Sequence, residues 1–245
     1  MKETLQNNRR VLSEPVFRGH TQGRSARPTV LKKRVSATRL IDFYGRDYIV
    51  TPDVLIPRPE TEMMVDTVLN LVGKPFLPGI KPSKAELPEN LTIVDVGTGS
   101  GCIAVTLKLL LPQAKVVATD ISDKALGVAK KNASALGTEV EFLQSDLLDD
   151  VRIKPDLIVA NLPYVDENWE WVDKEALSKE PALALYAKDG GLELIFKLID
   201  QAVEKEVYHL VLEADPCQHE RIIQYAKKKG LTLGETRGFS LYFSE

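Results

Sequence analysis

The stretch Thr92-Ile-Val-Asp-Val96, followed by Gly97-Thr98-Gly99-Ser100-Gly101-Cys102, decides the fold. A short apolar run closed by alternating glycines reads as a buried strand delivering the chain into a tight turn, and the apolar residues from Cys102 to Leu111 continue as a helix. A second strand, Lys115 to Thr119, ends at Asp120, and a helix follows from Ser122 to Leu136 with Ser122 as its predicted cap, which leaves Asp120 free. Val140 to Leu143, Leu157 to Ala160 and His209 to Glu213 are further strands; Gly191 to Lys205 and Gln218 to Lys229 are helices. Strands alternating with helices imply a parallel sheet covered on both faces. Leu231 to Leu233 and Ser240 to Phe243 lack a helix between them, so an antiparallel hairpin, with Gly234 to Phe239 as its connection, closes the sheet. The expectation is an α/β, Rossmann-like, mostly parallel seven-stranded sheet.

Upstream, Phe43 to Val50 reads as two short strand pieces around Gly45, a hairpin before the main body. Pro57 and Pro59 fix an elbow, and a helix follows from about Glu60 with Met64, Val65, Val68 and Leu69 on one stripe. Gly73 to Pro88 is proline-rich and reads as a loop. The predicted organisation is a basic arm over 1–40, a hairpin linker over 41–59 and the catalytic domain over 60–245.

Composition limits the functional classes. The net charge of −3 conceals a basic head in which Arg9, Arg10, Arg24, Arg27, Lys32, Lys33 and Arg34 face only Glu3 and Glu14. A flexible tail and an arm touching RNA or the ribosome both fit that pattern. No apolar run is long enough for a membrane span or a signal core, and Cys102 and Cys217 stand far apart outside any metal-ligand pattern, so a cytoplasmic, disulfide-free protein without a metal is expected. There is no phosphate loop with Gly-Lys-Ser/Thr and no Gly-x-Ser-x-Gly elbow.

The glycine turn lies where an open α/β sheet binds its ligand, outside the carboxyl end of the first strand. A dinucleotide fingerprint would place glycine at position 102, where this chain has Cys102; a nucleoside-type ligand without a pyrophosphate fits better. Asp120 is placed to accept hydrogen bonds from two ribose hydroxyls, and Asp146, after the third strand, to reach an adenine amino group. S-adenosylmethionine is the ligand of that description. After the fourth strand stands Asn161-Leu162-Pro163-Tyr164. An amide or exocyclic amine is a weak nucleophile because its lone pair is delocalised. The Asn161 side-chain oxygen and the Leu162 carbonyl can each accept one N–H and aim that lone pair at a methyl group. Pro163 stiffens the turn, the Tyr164 ring can pack on a planar acceptor, and no separate base is needed.

These motifs together resemble the release-factor glutamine N5-methyltransferases of the HemK/PrmC type. The resemblance is carried by Leu55-Ile-Pro-Arg-Pro-Glu-Thr-Glu62, Asp95 to Cys102, Asn161 to Tyr164, Glu180 to Leu185, Asp189 to Leu192, and Glu213 with Gln218, spanning Phe43 to Phe243. It implies a class I S-adenosylmethionine-dependent methyltransferase fold and methylation of the glutamine amide in the Gly-Gly-Gln motif of peptide chain release factors. By that likeness Gly97, Thr98, Gly99, Ser100, Gly101, Asp120, Asp146, Leu147 and Asn161 hold the donor. Asn161 to Tyr164 cradle the amide, and Arg58, Pro59 and Glu60 line the nearby wall. Leu162 and Leu147 depart from the family, which has a proline and commonly an aromatic there, and the family carries a longer helical domain ahead of the hairpin. Asn-Leu-Pro-Tyr also resembles the motif of ribosomal-RNA adenine dimethyltransferases, so an adenine N6 or guanine N2 methyltransferase acting on RNA or DNA, with base flipping, is the alternative.

Overall fold

The computed structural model describes residues 38–74, 87–88 and 90–245. Nearly all of the basic head and much of the proline-rich loop lie outside the described residues. Strand β1 (Arg39–Phe43) begins within the stretch read as arm and pairs antiparallel with β2 (Arg46–Val50) through a two-residue turn, Tyr44 and Gly45, both with positive φ. That turn type matches the natural twist of a hairpin.

The main sheet has the order β5-β4-β3-β6-β7-β9-β8. Its strands are β3 (Thr92–Val96), β4 (Lys115–Asp120), β5 (Glu141–Gln144), β6 (Leu157–Ala160), β7 (Leu210–Glu213), β8 (Thr232–Arg237) and β9 (Ser240–Ser244). The first five are parallel and β9 runs antiparallel to both β7 and β8. β3, β6 and β7 are buried almost throughout, as expected for strands covered on both faces. The helices α1 (Glu62–Leu71), α2 (Cys102–Leu110), α3 (Asp123–Ala135), α4 (Lys174–Leu177), α5 (Glu193–Glu204) and α6 (His219–Lys228) complete the chain.

Two apolar cores lie against the sheet. Met64, Val65 and Val68 of α1, Leu107 of α2 and Phe43 and Tyr48 of the hairpin form one; Ile195, Leu198 and Ile199 of α5 and Ile222 of α6 form the other. Each fully buried side chain of this kind contributes about 1.5–3 kcal/mol.

Two expectations change. The hairpin is welded to the main body. Asn132 of α3 donates to the carbonyls of Ile49 and Ser100 and accepts from the Ile49 N–H, while the Tyr48 hydroxyl bonds Thr106 at 2.7 Å. The segment read as a loop from Gly234 is mostly strand: β8 continues to Arg237 with a register shift between Leu233 and Glu235. A side chain at Gly234 would run into the Tyr242 ring, so the bulge sits where a backbone must pass close.

Candidate active site

The glycine turn after β3 is a left-handed construction. Gly97, Gly99 and Gly101 have φ of +72°, +56° and +81°. Asp95, wholly buried, anchors it: Oδ2 accepts from the Thr98 hydroxyl at 2.6 Å and from the Ala104 N–H at 3.2 Å. Burial pushes the Asp95 carboxyl up to about 7 against those two bonds. At the end of β4, Asp120 is not free, although Ser122 does cap α3 by accepting from the Ala125 N–H. Asp120 Oδ2 accepts the Gly99 N–H at 2.9 Å and Oδ1 accepts the Ser122 N–H at 2.8 Å. The carboxylate therefore ties the turn to the start of α3, and each oxygen keeps a further lone pair for a ligand hydroxyl. Burial raises its pKa, and the backbone N–H groups oppose the shift.

These residues open on a cavity of about 340 Å³ lined by Gly97 to Ser100, Asp120, Ser145, Asp146 and Leu147 on one side. Asp146 sits at the rim, its Oδ2 bonded to Lys197 Nζ at 2.6 Å, with both side chains substantially exposed. Leu147 is buried with a left-handed φ of +54°, and its carbonyl accepts from Thr119 Oγ1.

The opposite wall comes from the strand next door. Val96 pairs with Ala160, so β6 delivers Asn161, Leu162 and Pro163 to the same cavity. Leu162 lies against the glycine turn, since a Cβ built on Gly97 would stand 2.9 Å from its Cδ2. Asn161 Nδ2 donates to Thr61 Oγ1 at 3.1 Å, while Oδ1 has no partner among the described residues. Tyr164 is not among the residues lining the cavity. Its hydroxyl donates to Glu213 Oε1 at 3.2 Å, and its carbonyl accepts from Gln218 Nε2 at 2.8 Å. Asp189, Gly190 and Gly191, all left-handed, pass beneath: a Cβ on Gly191 would fall 1.9 Å from the Tyr164 carbonyl oxygen, so only glycine fits.

Pro57 and Thr61 reach the cavity, but Arg58, Pro59 and Glu60 do not line it. Pro59 and Glu60 belong to a short 3-10 turn, and Arg58 pairs with Glu180. Glu180 Oε2 also accepts the Ile56 N–H at 2.8 Å. The elbow 55–62 is thus bound to the segment 180–185, whose Pro181, Leu183 and Ala184 complete the wall. Three participants were not singled out as site residues: Thr61, Glu180 and Glu213. A threonine between two glutamates carries no local signal; Glu180 and Glu213 stand inside stretches that the family likeness flags without a role.

A family model described as "Methyltransferase small domain" matches residues 83–198. A protein named release factor glutamine methyltransferase from Enterococcus faecalis is 43% identical over 163 residues, covering 66% of this chain and 54% of its own length. One of the same name from Flavobacterium psychrophilum is 37% identical over 201 residues, covering 80% and 65%. Over these stretches the chain is similar to proteins named release factor glutamine methyltransferase. It spans a little over half the length of the first such relatives, 54% and 55%. Among solved structures, the hMettl16 catalytic domain in complex with a 3′UTR hairpin aligns with TM-score 0.58 at 16% identity, covering 78% of this chain and 71% of that one. A methyltransferase from Pyrococcus furiosus aligns with TM-score 0.55 at 16% identity, covering 82% and 87%. At such identity the likeness concerns the fold, which is that of the Rossmann-like class I methyltransferases; in this chain the antiparallel β8 and β9 close the sheet.

Proposed function

We propose that this chain transfers a methyl group from S-adenosylmethionine to the side-chain amide nitrogen of the glutamine in the Gly-Gly-Gln motif of peptide chain release factors. The observation that carries the proposal is the facing of two motifs across one cavity: the glycine turn with Asp120 after β3 and β4, and Asn161 with an unpartnered Oδ1 after β6. The donor fits the first wall. Glycines at positions 97 and 99 leave the backbone bare, Asp120 keeps acceptor capacity for ribose hydroxyls, and Asp146 with Leu147 lines the far end for the base. Bound there, the donor supplies an electrophilic methyl on a sulfonium.

The residues of the second wall act on the acceptor. Asn161 Oδ1 and the Leu162 carbonyl accept its two N–H groups, which turns the nitrogen lone pair out of conjugation and toward the methyl. The N–C bond forms as the S–C bond breaks, and the nitrogen then loses a proton to water. The names and identities of the relatives support the release factor as substrate. Charge supports a protein over a nucleic acid: the segment beside the cavity carries Asp166, Glu167, Glu170, Asp173 and Glu175 against Lys174 and Lys179, which a phosphate backbone would meet as repulsion.

The test is incubation with methyl-labelled donor and separate pools of release factor, ribosomal RNA and DNA. Label on the Gly-Gly-Gln glutamine is expected. Label confined to RNA or DNA amino groups overturns the reading in favour of base methylation.

A further inference from the structure

β7 ends at Glu213, a carboxyl only 1% exposed, on the strand adjacent to the one that ends before Asn161. Three of its polar neighbours, Thr61, Asn161 and Tyr164, belong to the proposed acceptor wall or adjoin it. The Tyr164 hydroxyl donates to Oε1 at 3.2 Å, the neighbouring Thr61 hydroxyl and Asn161 amide favour the charged form of the same carboxyl, and Oε2 has no hydrogen-bond partner among the described residues. Thr61, itself buried, also accepts from Asn161 Nδ2.

The logic of donors and acceptors then fixes one arrangement. A hydroxyl that accepts from Asn161 must send its own proton elsewhere, and the acceptor facing Thr61 is Glu213. A carboxylate can only accept, so it favours the Thr61 and Tyr164 hydroxyls pointing their protons toward it. The Asn161 amide is thereby oriented with Nδ2 inward and Oδ1 left for the cavity. A protonated Glu213 no longer takes the Thr61 proton: its own O–H can donate to Thr61 Oγ1, the Thr61 proton is released toward Asn161, and rotation of the amide to bring Oδ1 inward gives that proton an acceptor. Nδ2 then faces the cavity, where it opposes the N–H groups of an acceptor.

We propose that Glu213 is the positioning residue of the acceptor site, its carboxylate holding the Asn161 amide through Thr61 with the oxygen turned to the substrate. The inference rests on the reading of Asn161 as the acceptor of substrate N–H. It assigns Glu213 no contact with substrate; it acts through Asn161.

The groups acting on Glu213 place the exchange in an accessible range. Burial pushes its carboxyl up to about 7; Thr61, Tyr164 and Asn161 pull it down, and the charge of Glu60 adds to the rise. From α2 the Cys102 thiol, and from the loop the Tyr164 phenol, feel the Glu213 charge in turn.

The test has an arm without catalysis. In the full chain, the Asn161 side-chain amide resonances are followed by NMR against pH, with no acceptor present, in wild type, Glu213→Gln and Thr61→Val. Expected is a single-proton titration of that amide with midpoint near 7 in wild type, abolished in both variants. In the second arm, kcat/KM is measured at saturating donor. The wild-type rate should fall about tenfold per pH unit below that midpoint, and both variants should lose the limb and run about tenfold or more slower on the alkaline side. An amide that does not titrate in wild type, or that titrates unchanged in Glu213→Gln, overturns the inference. Thr61→Val decides by the same criterion if Glu213→Gln fails to fold. An amide that titrates as expected in a protein that methylates no release factor supports the inference and rejects the substrate alone.

Discussion

Replacing Gly97 with alanine tests whether the donor turn and the acceptor loop are mechanically one object. Gly97 has φ +72°, where an L-residue costs about 1–2 kcal/mol. In addition the new Cβ meets Leu162 Cδ2 at 2.9 Å, and Leu162 is only 4% exposed, so it cannot swing into solvent. Such overpacking costs about 1–3 kcal/mol. Gly99 is the internal control. Its φ is +56°, but the nearest atom to an added Cβ is the Gly97 carbonyl oxygen at 3.9 Å, so only the backbone cost applies. Both substitutions keep the Gly99 N–H that Asp120 accepts. Urea unfolding should therefore give Gly97→Ala a loss of roughly 2–5 kcal/mol and Gly99→Ala roughly 1–2 kcal/mol. The functional difference should be larger than the stability difference. Leu162 adjoins Asn161, and displacement of a positioning group by about 1 Å can reduce a rate about 100-fold. Calorimetric donor binding and single-turnover transfer, measured on folded protein, should show Gly97→Ala losing transfer beyond its loss of donor affinity. A double mutant with Leu162→Ala should show coupling between the two positions. Gly97→Ala behaving like Gly99→Ala in both assays would refute the reasoning.

Asp120→Asn must present an NH₂ to either the Gly99 or the Ser122 N–H, so donor affinity by calorimetry should fall about 10- to 100-fold, more than a lost neutral hydrogen bond alone explains. Glu180→Ala strands the Ile56 N–H and the Arg58 guanidinium; hydrogen exchange should quicken across 55–62 and KM for the protein acceptor should rise, with donor affinity unchanged. Asp95 and Glu213 both have folded pKa values near 7, above their unfolded values, so the native state holds more protons between about pH 4 and 7, and stability should fall as pH rises through that window. Glu213→Gln should flatten the urea midpoint against pH and gain on the order of 1–3 kcal/mol over wild type at pH 8, and an unchanged slope would reject the buried carboxylate as its cause.

The parts legible in the sequence are those with local chemistry. Buried parallel strands read as apolar runs, the glycine turn reads from its spacing, and Asn161 stands out as a polar residue ending such a run. What was illegible is what holds these parts. The occupied Asp120 depends on two backbone N–H groups brought to it by the curl of the turn, and nothing in the spacing signals that both its oxygens are used. The position of Tyr164 away from the cavity is set by Glu213, 49 residues later, and by Gly191 beneath its carbonyl. The part of β8 beyond Leu233 was read as a connection because half-buried Glu235 and Arg237 alternate with exposed Gly234 and Thr236 at the sheet edge, where an exposed strand and a polar loop have the same composition.

On the proposed function, the arrangement of those hidden contacts accounts for the handling of a weak nucleophile without a dedicated base. A delocalised nitrogen gains reactivity only while its two N–H groups are held against acceptors of fixed direction, and a loop free to relax would follow the amide back to planarity. Here Asn161, Leu162 and Tyr164 are each held by a different part of the fold, and Pro163 fixes its own φ. Thr61 takes the Asn161 amine, Gly97 blocks Leu162 from behind, and Gln218 and Gly191 grip the Tyr164 carbonyl while Glu213 takes its hydroxyl. Each hydrogen bond alone is worth about 1 kcal/mol, so none fixes the loop by itself. Acting together they restrict the loop between β6 and the turn, so that on the proposed function the cost of orientation is met during folding rather than at the moment of transfer.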